Sequence, residues 1–304
     1  MTRRVRTDWE SENRGRRTEG RGRRRRLSVV GLLSSVLCLL SGCTVNPITG
    51  NEELMFFSPE KDVELGRKYA PLVEKQLGGR MPEEGLQSYL NRIGQRIAGC
   101  CQRPDLAYHF AALEEGGVNA LAVPGGYIYI TRDLLKELKT EAQLAAVLSH
   151  EIGHVVARDT LVAMSEQIGM TALVIAAQAG GSADLARGSR FVAAVLSLQY
   201  SRDDEKEADL AGLSYMTQAG YDPNGMVETM QILEKLQTIR PVEFFSTHPN
   251  PESRIAYIQE RIARRYASLG GLKKGQEEYA QKVVAPLNER KKRFNVPPQE
   301  TASN

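Results

Sequence analysis

The chain has 304 residues, of which 41% are hydrophobic and 25% are charged, a composition that suits one globular domain with appendages. The formal net charge of +3 is unevenly placed, because residues 1–42 carry 11 Arg and 4 acidic residues and the remainder carries 29 basic and 33 acidic residues. We therefore expect no nucleic-acid partner, and 4 cysteines, two of them adjacent, exclude a disulfide scaffold.

The first 42 residues have the pattern of a lipoprotein signal peptide. An Arg-rich stretch, residues 1–26, precedes an apolar run of 14 residues, Leu27 to Leu40, which is shorter than the roughly 20 residues of a membrane-spanning helix. The tetrapeptide Leu40-Ser41-Gly42-Cys43 resembles a bacterial lipobox, so we predict acylation of Cys43. The alternatives are a signal cut elsewhere, a paired-Arg export signal and an unprocessed apolar helix.

The predicted acyl chains would attach the protein to a membrane surface. An Asp after the acylated Cys resembles an inner-membrane retention signal, whereas this chain has Thr44 there. We therefore predict a location in the bacterial cell envelope, on the periplasmic face of the outer membrane. Residues 43–59, with turn signals at Asn46-Pro47 and Thr49-Gly50-Asn51, form the predicted lipidated tether.

Residues 60–268 form the predicted globular domain, an α+β fold that is mostly helical with a small β-sheet. Its patterns predict helices over 60–77 and 84–99, short strands at 108–110, 118–123 and 127–130, and helices almost throughout from residue 131. The apolar segment 168–179 is interpreted as a core helix or a helix that covers the site. Residues 269–304 form a predicted C-terminal helix and a tail that is disordered from residue 295.

The chemical centre is predicted in a strongly helical segment, residues 141–158, which contains Ser149-His150-Glu151-Ile152-Gly153-His154. The spacing puts both imidazoles on one helix face, one turn apart, where His150 and His154 can bind one zinc ion. Glu151 follows the first His directly and can act as general base on a water molecule held there. The alternative is a surface helix that carries two His by chance.

A third zinc ligand is expected in the segment 200–209, which begins a second helix. Glu205 and Asp209 share one helix face, and we assign Glu205 as the ligand and Asp209 as the acceptor for a ring N–H of a ligating His. Glu207 points elsewhere and is expected to be solvated. Ala208 and Gly212 would let this helix approach the first one closely. The alternative is an ordinary acidic helix start.

These motifs resemble those of the CAAX prenyl protease and HtpX-like zinc metallopeptidases. The resemblance extends upstream to Asn119-Ala120-Leu121-Ala122-Val123-Pro124-Gly125-Gly126 and downstream to Thr247-His248-Pro249 and Ser253-Arg254-Ile255, in the expected order. It implies a zincin-like (gluzincin) metallopeptidase domain, with one zinc ion held by His150, His154 and Glu205 and with Glu151 as catalytic residue. Within that family the chain looks like the soluble lipoprotein branch.

Peptide hydrolysis needs a cation or hydrogen-bond donor near the tetrahedral oxyanion. His248 and Arg254, beside a Pro-rich turn, are the candidates, and we assign both to catalysis. His248 could instead bind the fourth zinc position and hold the enzyme closed, or cap the helix that follows.

The strand that includes Asn119, Ala120, Leu121 and Ala122 is the predicted substrate-binding strand, because edge pairing is a common way to hold an extended peptide. The alternative is a core strand without substrate contact. Edge pairing reads the backbone, which predicts broad sequence tolerance and a need for unfolded substrate.

The leading hypothesis is a lipid-anchored zinc endopeptidase that acts on unfolded or misassembled envelope proteins. The main alternative is a periplasmic chaperone or assembly factor whose zinc site is kept shut. A purely structural lipoprotein is disfavoured, because a structural zinc site rarely needs a Glu beside a ligating His.

Overall fold

The computed structural model describes residues 43–166, 184–249 and 254–294. The predicted signal peptide, the apolar segment 168–179 and the predicted disordered tail lie outside these described residues. The described part begins with a hairpin of two antiparallel strands, β1 (Cys43–Val45) and β2 (Glu52–Leu54), inside the segment predicted as a tether. The two predicted turn signals lie in the connection between these strands.

Two helices follow, α1 (Pro59–Gln76) and α2 (Glu84–Ala98), and their bounds lie within one residue of the predicted ones. The Ser58 side chain accepts a hydrogen bond from the backbone N–H of Lys61 and so begins α1, with Pro at the first helical position. In α2 the buried residues recur at helical spacing and form one apolar face. They are Leu86, Tyr89, Leu90, Ile93, Gly94, Ile97 and Ala98.

The predicted small sheet contains β3 (His109–Leu113), β4 (Ala120–Val123) and β5 (Tyr127–Thr131). The order is β3-β5-β4, with β3 parallel and β4 antiparallel to β5, so β4 lies at one edge. A glycine turn joins β4 to β5, and Gly125 and Gly126 there have φ values of 77° and 87°, which side chains rarely adopt. All β4 side chains are buried.

Helices complete the described chain and surround α4 (Glu141–Ala157), all of whose residues are buried. The Thr140 side chain caps α4 by accepting from the N–H of Gln143, and Arg158 ends it in a left-handed conformation, φ 65°. The other helices are α3 (Arg132–Glu137), α5 (Asp184–Ser197), α6 (Arg202–Gln218), α7 (Asn224–Gln237), α8 (Phe244–Thr247), α9 (Arg254–Arg265), α10 (Gln276–Tyr279), a π-helical turn (Ala280–Val284) and α11 (Ala285–Phe294).

One main apolar core joins the sheet, α2, α4 and the C-terminal helices. Tyr279, Val283 and Leu287, from the C-terminal segment, are buried in the same core as Ile130 and Leu144. The predicted α+β class, mostly helical with a small sheet, is confirmed. Among the described residues no helix has the length and apolar character needed to cross a membrane.

Candidate metal centre

The site forms where α4 and α6 pack unusually close together. A Cβ atom on Gly153 of α4 would lie 2.8 Å from the Cα of Ala208 on α6, and one on Gly212 of α6 would lie 2.9 Å from the backbone N of His150. Such distances leave no room for a side chain, so the small residues bring the two backbones into contact. The close approach predicted from Ala208 and Gly212 is therefore present, and Gly153 permits it on the α4 side.

Four buried side chains converge at this contact: His150 and His154 from α4, Glu205 from α6 and His248 after α8. The Nε2 atoms of His150 and His154 are 3.1 Å apart, and His150 Nε2 lies 3.3 Å from His248 Nδ1. Glu205 Oε1 lies 2.8 Å from His248 Nδ1 and 3.4 Å from His154 Nε2. These four residues could hold a metal ion.

The spacing of these ligand atoms suits a tetrahedral zinc site. With metal–nitrogen and metal–oxygen bonds of about 2.0–2.1 Å, neighbouring ligands of a tetrahedron are separated by about 3.3–3.4 Å. The separations quoted above, 2.8–3.4 Å, reach that value or fall up to about 0.6 Å below it. Three ring nitrogens and a carboxylate oxygen, all buried, cannot all satisfy one another through hydrogen bonds, whereas a cation at their centre would satisfy them together.

Glu151 is fully buried next to this cluster. Neither of its carboxylate oxygens has a hydrogen-bond partner within the described residues, and the same holds for His248 Nε2, which lies 3.6 Å from Glu151 Oε1. A buried carboxylate without partners is costly unless a water or an ion accompanies it. Burial raises the pKa of Glu151, which makes its carboxylate a stronger base than an exposed one. The arrangement suits a proton acceptor beside a metal.

Asp209 and Arg254 hold the first His and the Glu ligand in place. Asp209 Oδ1 lies 3.0 Å from His150 Nδ1, the ring nitrogen directed away from the cluster. The Arg254 guanidinium donates to both Asp209 oxygens, at 2.7 and 2.9 Å, and to Glu205 Oε2 at 2.6 Å. The Tyr257 hydroxyl also donates to Asp209. Arg254 thus orients Glu205 by a hydrogen bond on its far side, and Asp209 lies next to the far nitrogen of His150, as is usual around metal ligands.

His154 is held by two residues that the sequence did not indicate. Its Nδ1 lies 2.6 Å from Asp159 Oδ2, and its ring stacks on Tyr200 with centroids 4.0 Å apart. Asp159 reaches back because Arg158 takes the left-handed conformation that ends α4. The sequence signal that could have indicated Asp159 is a carboxylate one residue beyond the expected end of the helix. Many helices carry a carboxylate there that contacts no His, so the signal is weak.

Charge around the site is balanced by these pairings. Burial would lower the pKa of His154, but Asp159 and Glu205 outweigh it and raise the pKa. Burial would raise the pKa of Glu205, but the neighbouring His248 and His154 hold it well below its usual value. Burial also opposes ionisation of Asp209, yet Arg254 and His150 lower its pKa to about 2. Both carboxylates therefore remain ionised at neutral pH.

Three assignments from the sequence look different in the structure. Arg254, expected as an oxyanion donor, is fully buried with its guanidinium engaged by Glu205 and Asp209, so it orients a ligand rather than facing a substrate. His248, expected in the same role, has Nδ1 inside the ligand cluster, as the alternative of a fourth ligand requires. Glu207, expected to be solvated, is half-buried and accepts a hydrogen bond from the Asn46 amide at 2.6 Å.

The predicted substrate strand lies at the edge of the sheet. The Asn119 carbonyl accepts from the N–H of Thr131, so the alternation of an antiparallel pair directs the peptide groups of Ala120 and Ala122 away from β5. A small cavity between β4 and the end of α4 is lined in part by Ala122, His154 and Thr160. The edge of β4 therefore faces the end of α4, where the Ala122 carbonyl accepts a hydrogen bond from the Thr160 hydroxyl at 3.5 Å.

A helical α+β domain with four buried residues that could hold a metal ion at the contact of two helices, and a Glu beside them, is typical of a zincin-like metallopeptidase. Residues 84–262 match the family model described as "Peptidase family M48", which is more than half of the chain, and the chain belongs to this family. Peptidases of this family are metal-dependent, in agreement with the four-residue site.

Three relatives illustrate the range of the similarity. The "Beta-barrel assembly-enhancing protease" of Escherichia coli K12 is 28% identical over 216 residues, which cover 66% of this chain and 44% of the relative. Its Vibrio cholerae counterpart is 32% identical over 196 residues, 60% of this chain and 40% of the relative. The "Mitochondrial metalloendopeptidase OMA1" of Schizosaccharomyces pombe is 36% identical over 179 residues, 57% of this chain and 52% of the relative. The chain spans about half the length of these curated relatives or less.

Proposed function

We propose that this chain is a zinc-dependent endopeptidase that hydrolyses peptide bonds in unfolded or misassembled proteins of the bacterial cell envelope. The observation that carries the proposal is Glu151, a fully buried carboxylate with no hydrogen-bond partner among the described residues, next to four converging metal ligands. Each chain would hold one zinc ion through His150, His154 and Glu205, with His248 in reach of the same ion.

The chain's own residues supply proton transfer and orientation. Zinc, when bound, would act as a Lewis acid that lowers the pKa of a water molecule toward roughly 7 and polarises the scissile carbonyl. Glu151 then accepts the proton of the attacking water and passes it to the leaving amine. Asp209 and Asp159 fix the ring orientations of His150 and His154, and Arg254 fixes Glu205.

The edge strand β4 supports an extended substrate. The peptide groups of Ala120 and Ala122 are directed toward α4, where the Ala122 carbonyl accepts from the Thr160 hydroxyl at 3.5 Å, and a substrate would take the place of that contact. Asn119 Oδ1 is buried without a hydrogen-bond partner in the described part of the chain. A peptide paired with Asn119, Ala120, Leu121 and Ala122 would be read through its backbone. Such binding favours unfolded chains of many sequences, because a folded protein rarely exposes a free extended segment.

The envelope location rests on the N-terminal pattern and on the names of two relatives. The predicted lipobox ends at Cys43, and acylation there would attach the protein to a membrane. In the proposal this membrane surface is the periplasmic face of the outer membrane. The relatives from Escherichia coli and Vibrio cholerae are named for enhancing β-barrel assembly. A role in the quality control of envelope proteins follows from both.

A second candidate function is a periplasmic chaperone or assembly factor with a latent zinc site. It is favoured by His248, whose Nδ1 lies 3.3 Å from His150 Nε2 and 2.8 Å from Glu205 Oε1. If all four residues bound the zinc ion, they would fill its four positions and leave none for water, which is typical of closed structural sites. Peptidase activity then requires His248 to leave the cluster.

Metal dependence tests the proposal directly. The purified full chain is incubated with one labelled protein in its unfolded and its folded form, before and after stripping with a chelator. We expect cleavage of the unfolded form, loss of cleavage on stripping, and recovery with Zn²⁺ but not with Mg²⁺. The His154→Ala variant should lose zinc and activity, whereas His109→Ala, which changes an exposed His of the sheet, should keep both. Cleavage that survives complete removal of the metal would contradict the proposal.

A further inference from the structure

The N-terminal hairpin presents an exposed apolar face. Val45 is 59% exposed, Leu54 36% and Phe56 47%. The described chain has six strongly exposed large apolar side chains, and these three lie within twelve residues of one another. We call Val45, Leu54 and Phe56 the hairpin face. Scattered exposed apolar residues are ordinary, but a contiguous group of them indicates a contact surface.

The opposite side of the hairpin is fixed to the peptidase domain. Asn46 is buried, and its amide donates to Glu207 on α6 at 2.6 Å and to Glu53 at 2.7 Å. Ile48, in the turn, belongs to the main core, and the N–H of Phe56 donates to Ser165 Oγ at 3.1 Å. Because successive residues of a strand point to opposite sides, docking one side leaves the hairpin face outward. The hairpin face is therefore held in one orientation relative to α6, the helix that carries Glu205.

The position of the face along the chain identifies its occupant. Cys43, the predicted acylation site, is the register partner of Leu54 and lies two residues before Val45. A strand advances about 3.4 Å per residue, so Val45 lies within roughly 7 Å of the backbone of Cys43. If the signal were not cut, the apolar run Leu27–Leu40 would end three residues before Cys43. In both of these cases the chain would meet the bilayer next to this face.

We propose that the hairpin face inserts into the lipid interface of the membrane and sets the orientation of the peptidase domain on it. The inference rests on the proposed attachment at Cys43 and goes beyond it, because an acyl chain alone anchors a protein without orienting it. The occupant is lipid because the predicted anchor lies next to the face, and an anionic partner is disfavoured because exposed Glu52, the cross-strand partner of Val45, points to the same side of the hairpin. Insertion is therefore apolar and insensitive to salt.

Quenching by lipid tests the face in the full, membrane-extracted protein. The chain has a single Trp, at position 9, so a Trp9→Phe background makes an introduced indole unique. Phe56→Trp and the control Ile239→Trp, at a 72% exposed site outside the hairpin, are reconstituted in phosphatidylethanolamine vesicles whose acyl chains carry bromine. We expect at least twofold quenching of the indole at position 56, unchanged by salt, and none at position 239. Equal quenching of both, or of neither, overturns the proposal.

A second variant separates insertion from mere closeness to the anchor. Val45→Ser and Leu54→Ser are added to Phe56→Trp, and mass spectrometry of the N-terminal peptide checks acylation of Cys43 in every sample. We expect the acyl mass to be unchanged and the quenching to fall to the level of the control. Undiminished quenching overturns the proposal. If the indole at position 56 changes its emission with an unfolded protein but not with vesicles, the proposal is also overturned. If quenching occurs although Cys43 carries no acyl group, the anchor is refuted and insertion of the hairpin face is supported.

Discussion

Arg254 offers the sharpest test of how the site is built. It is the largest fully buried side chain among the described residues, and its guanidinium joins Asp209, behind His150, to the ligand Glu205. Replacing it with Met keeps much of the volume but leaves two buried carboxylates without their cation. The change therefore isolates the electrostatic part of the arrangement.

The expected loss of stability can be worked out from the structure. Removing one partner of a buried ion pair costs about 3–5 kcal/mol. Independently, the pKa of Asp209 is lowered from 3.8 to about 2. At 1.36 kcal/mol for each pKa unit, that shift corresponds to about 2–3 kcal/mol. We therefore expect Arg254→Met to lower the free energy of unfolding of the metal-free protein by about 3–5 kcal/mol at pH 7.

The pH dependence of the free energy of unfolding gives a separate check on the sign of the Asp209 contribution. Because the folded-state pKa of Asp209 lies below its unfolded value, its stabilisation is fully present above about pH 4 and is lost as the pH falls toward 2. In Arg254→Met the pKa of Asp209 should return toward or above its ordinary value, because burial then acts without the guanidinium. The acid-dependent loss in that range should shrink accordingly.

The assay is urea denaturation of the chelator-treated full chain, followed by circular dichroism. The matched control is Arg264→Met on the same helix, where the side chain is 75% exposed and pairs with Glu260, so a change below about 0.5 kcal/mol is expected. Combining Arg254→Met with Asp209→Asn should cost less than the sum of the two, since the pair acts as a unit. If Arg254→Met costs no more than Arg264→Met, the reasoning is refuted.

Three further predictions concern the helices and ligands around the site. Asp159→Ala should weaken zinc binding about 10–100-fold in chelator competition, because His154 loses the acceptor that orients its ring. The control Asp203→Ala, at an exposed site, should leave zinc affinity unchanged, and equal affinities of the two variants would contradict the role of Asp159. Gly212→Ala should lower the free energy of unfolding, measured by urea denaturation, by about 1–3 kcal/mol, because the added Cβ would press on α4. The control Gly85→Ala, where nothing lies within 4 Å of the added Cβ, should be neutral or stabilising. Similar effects of the two variants would refute the close packing of α4 and α6. His248→Ala should retain zinc and raise the rate of cleavage; an unchanged or lower rate would argue against latency.

Local patterns in the sequence carried much of the fold. The periodicity of α2, the turn glycines before β5 and the four-residue spacing of His150 and His154 are set by residues close together in the chain, so they could be predicted. Glu205 followed from its spacing to Asp209 and from the resemblance. The periodicity, the turn and the spacing of the two His depend on helix and strand geometry alone, whereas the choice of Glu205 also needed the resemblance.

Features made by long-range contacts could not be predicted in the same way. Asp159 reaches His154 only because Arg158 adopts a left-handed conformation, and Tyr200 stacks on that His from a distant segment. The segment predicted as a tether forms a hairpin that packs on the domain, where the Asn46 amide donates a hydrogen bond to Glu207 on α6. In each case tertiary packing decides a conformation that local sequence leaves open.

The isosteric variant Glu151→Gln shows whether Glu151 moves the proton in a zinc-dependent hydrolysis. The full chain and this variant are confirmed to hold one zinc ion each and are then compared in the rate at which they cleave an unfolded protein. The account predicts a rate at least about 100-fold lower for the variant, with zinc content and folding unchanged. A zinc-loaded, folded variant that cleaves as fast as the unaltered chain would contradict it.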